Sequence, residues 1–236
     1  EEMQCGLSAA KPWQCTNGSS PITDTDRFQC YNPSSVVMHS TSLWGPWSSP
    51  VKVLEPEKSS PFFGYGLDNP AAWQMANGSI RLIFRSGYGP WTFPWASKNK
   101  GRRDYIGIAT ADDWAGPFTI SPLPILDHMG DNCGSCLEDP HIWQSPRTGY
   151  WHGLAHGMGP FGEWGSANCG RHFFSRDGER WELSRQIAYT GTIQYASGQN
   201  VTYNRRERPH ILFADGEPSW LYTAVEQNFS KGGQKD

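Results

Sequence analysis

The sequence predicts an all-β protein, a β-propeller whose blades are four-stranded antiparallel sheets, on three observations. A proline-centred phrase occurs three times, as "LDNPAAW" (67–73), "LEDPHIW" (137–143) and "RERPHIL" (206–212), with Pro70, Pro140 and Pro209 spaced 70 and 69 residues apart. Each copy runs through a turn into a second apolar segment, "ANGSIRLIFR", "SPRTGYWHGLAH" and "ADGEPSWLYTAV". Asn-Gly and Asp-Gly between alternating apolar residues are strong hairpin signals. Apolar residues keep a period of two throughout, and no stretch carries a helical period.

A second phrase follows the first: "VVMHSTSLWGPW" (36–47), "IGIATADDWAGPF" (106–118) and "RHFFSRDGERW" (171–181) each read as strand, polar turn and an aromatic opening another strand. Two hairpins in succession make a four-stranded meander, and its recurrence along a chain is the mark of propeller blades.

The elements fall in order from this pattern. Residues 31–55 hold a half-blade, in which "YNPSSVVM" is read as the remnant of a further strand. A complete blade spans 67–120, with the insertion "SGYGPWTFPWASKNKGRR" (86–103) between its second and third strands. The loop 121–136 leads to a second complete blade, 137–190, with its own insertion at 157–170, and residues 206–226 form a closing half-blade. Propellers need about four to eight blades. The sequence is therefore expected to be part of a longer propeller, with the missing part beyond the given ends or on a separate chain.

A chain of 236 residues with 37% hydrophobic content is long enough to bury a core as one all-β domain. A net charge of -3 with 18% charged residues carries no polyanion-binding signature, so nucleic acid is not implied. No apolar run approaches the roughly 20 residues of a membrane helix, so no membrane partner is implied either.

Four N-x-S/T sequons, at Asn17, Asn77, Asn200 and Asn228, accompany six cysteines. Together they point to an oxidising, glycosylating compartment, and so to a secreted or extracellular protein. The "CGSC" at Cys133 and Cys136 lacks the helix that a redox motif needs, so structural disulfides are expected. Cys5, Cys15 and Cys30 are expected to pair among themselves or with a missing segment, and one of Cys133 and Cys136 with Cys169.

The phrases "EDPHIW", "RERPHIL" and "NPAAWQMANGSIRLIFR" resemble the five-bladed propellers of the arabinanase, xylosidase and invertase superfamily of glycoside hydrolases, and most of all its eukaryotic secreted glycosidase-like members. The resemblance covers roughly residues 65–226. In that superfamily, innermost strands of successive blades bring three carboxylates to one end of a central funnel. The resemblance implies a glycan or polysaccharide partner and Glu207 in "RERP" as general acid. It likewise implies Asp139 in "LEDP" as the orienting, pKa-tuning aspartate, and it puts Asn69 in "DNP" where the base belongs. Asparagine takes no proton. Asp68 or Glu138 would stand in only through a bulge, because a strand turns successive side chains to opposite faces.

This chemistry explains the carboxylates. Glycoside hydrolysis needs one carboxyl group protonated at the leaving oxygen and one ionised across the ring. Arg206 and Arg208 flank Glu207, with Arg205 beside them, and guanidinium groups grip carboxylate or sulfate in a bidentate fashion, which makes an anionic glycan one reading. Trp91 and Trp95, with Phe93 between them, supply rings that stack on sugars or cover the blade's own edge. His141 and His210 follow their prolines as candidate substrate contacts; packed strand histidines are the plainer reading. His152 and His156, four apart on a strand, stand about 13 Å from each other, too far to share a metal ion. No cofactor is expected, and a divalent ion in the funnel enters only by analogy. A non-catalytic glycan binder or structural glycoprotein of an extracellular assembly stays open beside the hydrolase.

Overall fold

The computed structural model describes residues 34–57, 59–88, 103–127, 137–158 and 168–226. These contain strands and no helix. In chain order the strands are β1 (Ser35–Val37), β2 (Val51–Leu54), β3 (Tyr65–Gln74), β4 (Ile80–Tyr88), β5 (Arg103–Ala111), β6 (Thr119–Ile120), β7 (Leu126–Asp127), β8 (Leu137–Gln144), β9 (Trp151–Met158), β10 (Asn168–Ser175), β11 (Trp181–Tyr189), β12 (Thr192–Gln194), β13 (Asn200–Thr202), β14 (Arg205–Ala214) and β15 (Glu217–Glu226).

Strand pairing is antiparallel and follows chain order. β8–β9–β10–β11 is a four-stranded meander. β3–β4–β5–β6 is another, with β7 also paired to β5. β1–β2, β12–β13 and β14–β15 are two-stranded. Among the described residues β1 pairs only with β2, so the strand at Val36 does not meet the one at Trp220.

Three apolar layers hold the sheets face to face, and period-2 alternation builds them. Along β4, Ile83 faces one way, into a layer with Ile106, Leu137, Ile142, Trp151 and Phe173 that joins the β3–β7 sheet to the β8–β11 sheet. Its neighbours Leu82 and Phe84 face the other way, against Leu54, Phe63 and Tyr105. The third layer packs Trp143 and Leu154 on Ile211, with Phe213 and Leu221 at its edge, so β14–β15 docks on β8–β9. Gly153 is demanded by this packing: a Cβ there would lie 2.2 Å from the Phe173 ring.

β3 lies beside β8, and β8 beside β14, each the first strand of its sheet. All three carry the same distortion. Asp68 pairs with Arg85 and Ala71 with Ile83; Glu138 pairs with His156 and His141 with Leu154; Glu207 pairs with Ala224 and His210 with Tyr222. Each time three residues of the first strand oppose two of its partner, which is a β-bulge at the proline. The residue before each proline has a left-handed backbone: φ is 50° at Asn69, 50° at Asp139 and 53° at Arg208.

Candidate functional site

The bulges decide which side chains meet. A regular strand would send positions one and two before the proline to opposite faces, but the extra residue turns both into the same space. The site therefore receives Asp68 with Asn69, Glu138 with Asp139, and Glu207 with Arg208. Asparagine and aspartate tolerate a left-handed backbone better than most residues, while an arginine there is uncommon and marks a constrained position.

At the centre lies Asp139, which is buried. The Asn69 amide donates from Nδ2 to Asp139 Oδ1 at 2.6 Å, and Arg208 Nη1 stands 3.4 Å from the same oxygen. Burial pushes the Asp139 carboxyl above its usual range; Arg208 opposes that shift and the negative charge of Glu207 adds to it. Asn69 thus holds the carboxylate in place and takes no proton itself.

Arg85, on β4, is buried and bridges two strand starts. Its Nε and Nη2 donate to the two oxygens of Asp68, each at 2.8 Å, and its Nη1 donates to Glu138 Oε2 at 2.5 Å. Asp68 and Glu138, the two stand-ins for a base, are therefore engaged in a charge-assisted network across the sheets.

Glu207 is mostly buried, with Arg205 Nη1 at 3.5 Å from its Oε1. His156 Nε2 stands 3.8 Å from the same oxygen. The other ring nitrogen of His156, Nδ1, lies 3.1 Å from the Arg206 carbonyl. A carbonyl only accepts, so Nδ1 carries the proton and Nε2 presents a lone pair to Glu207. Burial holds His156 below the usual histidine range, and Glu207 and Asp139 counteract part of that shift. Nothing in the sequence pattern singled out His156 for this place, because its role depends on cross-strand pairing with Glu138.

Glu138, His156 and Glu207 each offer a ligand atom within 4.8 Å of the other two, the one such group among the described residues. His156 is joined by carboxylates from other strands, Glu138 of β8 and Glu207 of β14, and not by His152. His152 belongs elsewhere, in a ring stack with Trp143 and His172.

Other candidates fall into separate settings. Arg206 does not join Arg205 and Arg208 at Glu207: its guanidinium lies 4.8 Å from the centre of the Tyr189 ring and donates to Thr223 Oγ1 and to the Thr190 carbonyl. His141 is buried, its Nε2 accepts the Ile211 backbone N–H at 3.3 Å, and its ring lies 4.4 Å from that of His210. It ties β8 to β14 instead of facing the acids. Asn77 sits exposed in the β3–β4 turn and Asn200 exposed on β13. Trp91, Trp95, Asn17, Asn228, Cys5, Cys15, Cys30, Cys133 and Cys136 lie outside the described residues; Cys169 is buried on β10. Among the described residues no helix is long and apolar enough to cross a membrane.

Comparison of folds places this arrangement. A family 43 glycoside hydrolase from Xanthomonas citri is similar at 16% identity with a TM-score of 0.53, over 80% of this chain and 58% of that one. CoXyl43, a family 43 β-xylosidase/α-arabinofuranosidase from a compost microbial metagenome, solved with xylotriose in a calcium-free form, is similar at 19% identity with a TM-score of 0.53, over 91% of this chain and 68% of that one. Sucrose-6-phosphate hydrolase from Lactobacillus gasseri is similar at 15% identity with a TM-score of 0.52, over 78% of this chain and 33% of that one. The chain thus spans only part of the length of these proteins. No protein-family model matches the sequence, and no curated protein matches it either. In fold the chain is similar to the five-bladed β-propeller glycoside hydrolases and corresponds to a part of such a propeller.

Proposed function

We propose that this is a secreted propeller that hydrolyses a glycan in the funnel formed by β3, β8 and β14, with Glu207 as general acid and Asp139 as its orienting partner. The observation that carries this reading is the convergence of Glu207 and Asp139 from equivalent bulges of neighbouring strands, with Asp139 raised partly by the charge of Glu207. Burial first, and then the charge of Glu207, favour the protonated form of the Asp139 carboxyl. Among the described strand starts the position of the ionised base is held by Asn69, while the bulges bring Asp68 and Glu138 into the same space, where Arg85 grips both. Arg205 and Arg208, both exposed, present guanidinium groups at the mouth and suit an anionic glycan. The exposed sequons at Asn77 and Asn200 suit secretion.

A second reading rests on Asn69 itself. An amide in the place of a base, donating to Asp139, suits a funnel that binds sugar and does not cleave it. One experiment separates the two. The full protein is assayed with xylotriose, the oligosaccharide in the CoXyl43 structure, and with uronic-acid oligosaccharides, whose leaving sugars need a proton. Turnover that falls by about a hundredfold or more in Glu207→Gln, with oligosaccharide binding retained, supports the hydrolase. Binding without turnover in the parent protein establishes the binder, and turnover unchanged in Glu207→Gln removes Glu207 as the acid.

A further inference from the structure

We propose that the β12–β13 hairpin is a glycan-holding arm beside the funnel mouth, which takes an uncharged stretch of an oligosaccharide against Tyr195 and Tyr203. The proposal rests on the reading that the funnel takes a glycan, and it adds a second place where that glycan is held.

The blade repeat does not call for this hairpin. It stands between the last strand of the β8–β11 sheet and the strand that carries Glu207, and among the described residues β12 and β13 pair only with each other. Neither strand enters the three apolar layers, so the hairpin adds surface and not core. That surface has an unusual chemistry. Residues 190–204, "TGTIQYASGQNVTYN", hold no Asp, Glu, Lys or Arg in a chain that is 18% charged. Hydroxyls, amides and phenols without charge match the hydroxyls of a sugar, each being able to donate or accept, and offer an ion nothing.

Period-2 alternation gives the hairpin two different faces. Thr192 opposes Thr202, Ile193 opposes Val201 and Gln194 opposes Asn200. The ladder runs on at both ends, where the Tyr195 N–H donates to the Gln199 carbonyl and the Tyr203 N–H to the Gly191 carbonyl. Thr192, Gln194, Asn200 and Thr202 therefore share one face, and Ile193, Tyr195, Val201 and Tyr203 the other. Tyr195 lies at the turn and Tyr203 at the base, yet their hydroxyls hydrogen-bond to each other, so the two rings lean together over Ile193 and Val201. Tyr195 is 42% exposed. Rings held in this way present apolar faces for stacking on a sugar with little rotamer freedom left to lose. Asn200, the acceptor of its sequon, leaves from the opposite face, so an N-glycan there does not cover the tyrosines.

The arm is rooted in the candidate site. The Thr190 carbonyl at its base accepts from Arg206 Nη1 at 3.0 Å, and Arg205, two residues beyond Tyr203, stands 3.5 Å from Glu207. Four residues of chain separate Tyr203 from Glu207, at most about 14 Å, so a glycan seated in the mouth reaches the arm within a few sugar units.

The test measures binding of the full protein to an immobilised panel of xylo-, arabino-, cello- and galacto-oligosaccharides of three and of six units. Six-unit chains of at least one series are expected to bind more tightly than three-unit chains. Tyr195→Ala, which alters an exposed side chain outside the apolar layers, should weaken six-unit binding about tenfold and leave three-unit binding within about twofold. Tyr195→Phe keeps the ring and should bind nearly as the parent does. Three-unit binding with no gain from six units, or six-unit binding unchanged in Tyr195→Ala, would overturn the arm and leave the funnel reading standing. Binding seen only after Asn200→Gln would also overturn it, since the protein's own N-glycan would then occupy the face. A parent that binds no member of the panel and no uronic-acid oligosaccharide would sink both readings. Six-unit binding that depends on Tyr195, without turnover, leaves the arm intact and removes the hydrolase.

Discussion

Arg85 is the residue on which the site's acids depend. Its side chain is only 7% exposed, and three of its nitrogens meet carboxylate oxygens of Asp68 and Glu138. Removing one partner of a buried ion network strands the others without compensation, at a cost of about 3–5 kcal/mol. Arg85→Met should therefore destabilise the fold by about that amount in chemical denaturation, more than Asp68→Asn, which removes one charge and one of the two acceptors but leaves Arg85 paired with Glu138. At the same scale His141 sets a pH dependence. Burial, with His210 beside it, pushes its pKa down to about 4 from 6.5. Folding thus favours the neutral ring: above pH 6.5 both states are neutral and stability does not depend on this group. As pH falls from 6.5 to about 4 the unfolded chain gains the proton and the folded one does not, so stability drops across that window. Urea unfolding followed between pH 7 and pH 4 should show this slope, and His141→Gln should reduce it, leaving the share of His152, His156 and His172, which burial also lowers.

At the scale of the element, the bulged strand start is the unit that makes the site. Three strands carry it at the same place, and the left-handed residue before each proline is what brings two consecutive side chains into one space. Asn69→Val puts a β-branched residue where φ is 50°, which costs on the order of 1–3 kcal/mol in backbone strain and also deletes the donor to Asp139. Asn69→Gly relieves the backbone and removes only the donor. Comparing melting temperatures of the two variants separates strain from hydrogen bonding: Asn69→Val should fall well below Asn69→Gly. In the β9–β10 hairpin the demand is steric. Gly153→Ala drives a methyl into the Phe173 ring and should destabilise by about 1–3 kcal/mol or more, with recovery in Gly153→Ala/Phe173→Leu.

Across the whole molecule, the site is only as well placed as the sheets are docked. β14, which carries Glu207, is held to the β8–β9 hairpin by Trp143, Leu154 and Ile211 and by the Ile211 N–H donated to His141. Trp143→Ala should cost about 3–5 kcal/mol and, more tellingly, should speed amide hydrogen exchange along β14–β15 while leaving β4–β5 protected, because the interface lost belongs to one sheet pair. The β14–β15 hairpin also exposes Leu212, Trp220, Tyr222 and Val225.

The sequence alone determined the repeat, the hairpins and the equivalence of the three proline-centred starts, because period-2 alternation and Asn-Gly or Asp-Gly turns are local signals that each strand carries in itself. It also placed Glu207 in register with Glu138 and Asp68, two before the proline, and Asp139 in register with Asn69 and Arg208, one before it. The tertiary structure decided the rest. A bulge adds one residue relative to a partner strand, so no single strand reveals it, and only the bulge lets Glu138 share a space with Asp139. Arg85 and His156 come from second strands and acquire their meaning from the residues opposite them. Arg206 and Arg208, two apart and alike in the sequence, part company in the fold: one lies on Tyr189 and the other on Asp139, because the bulge between Glu207 and His210 changes which face each side chain leaves from.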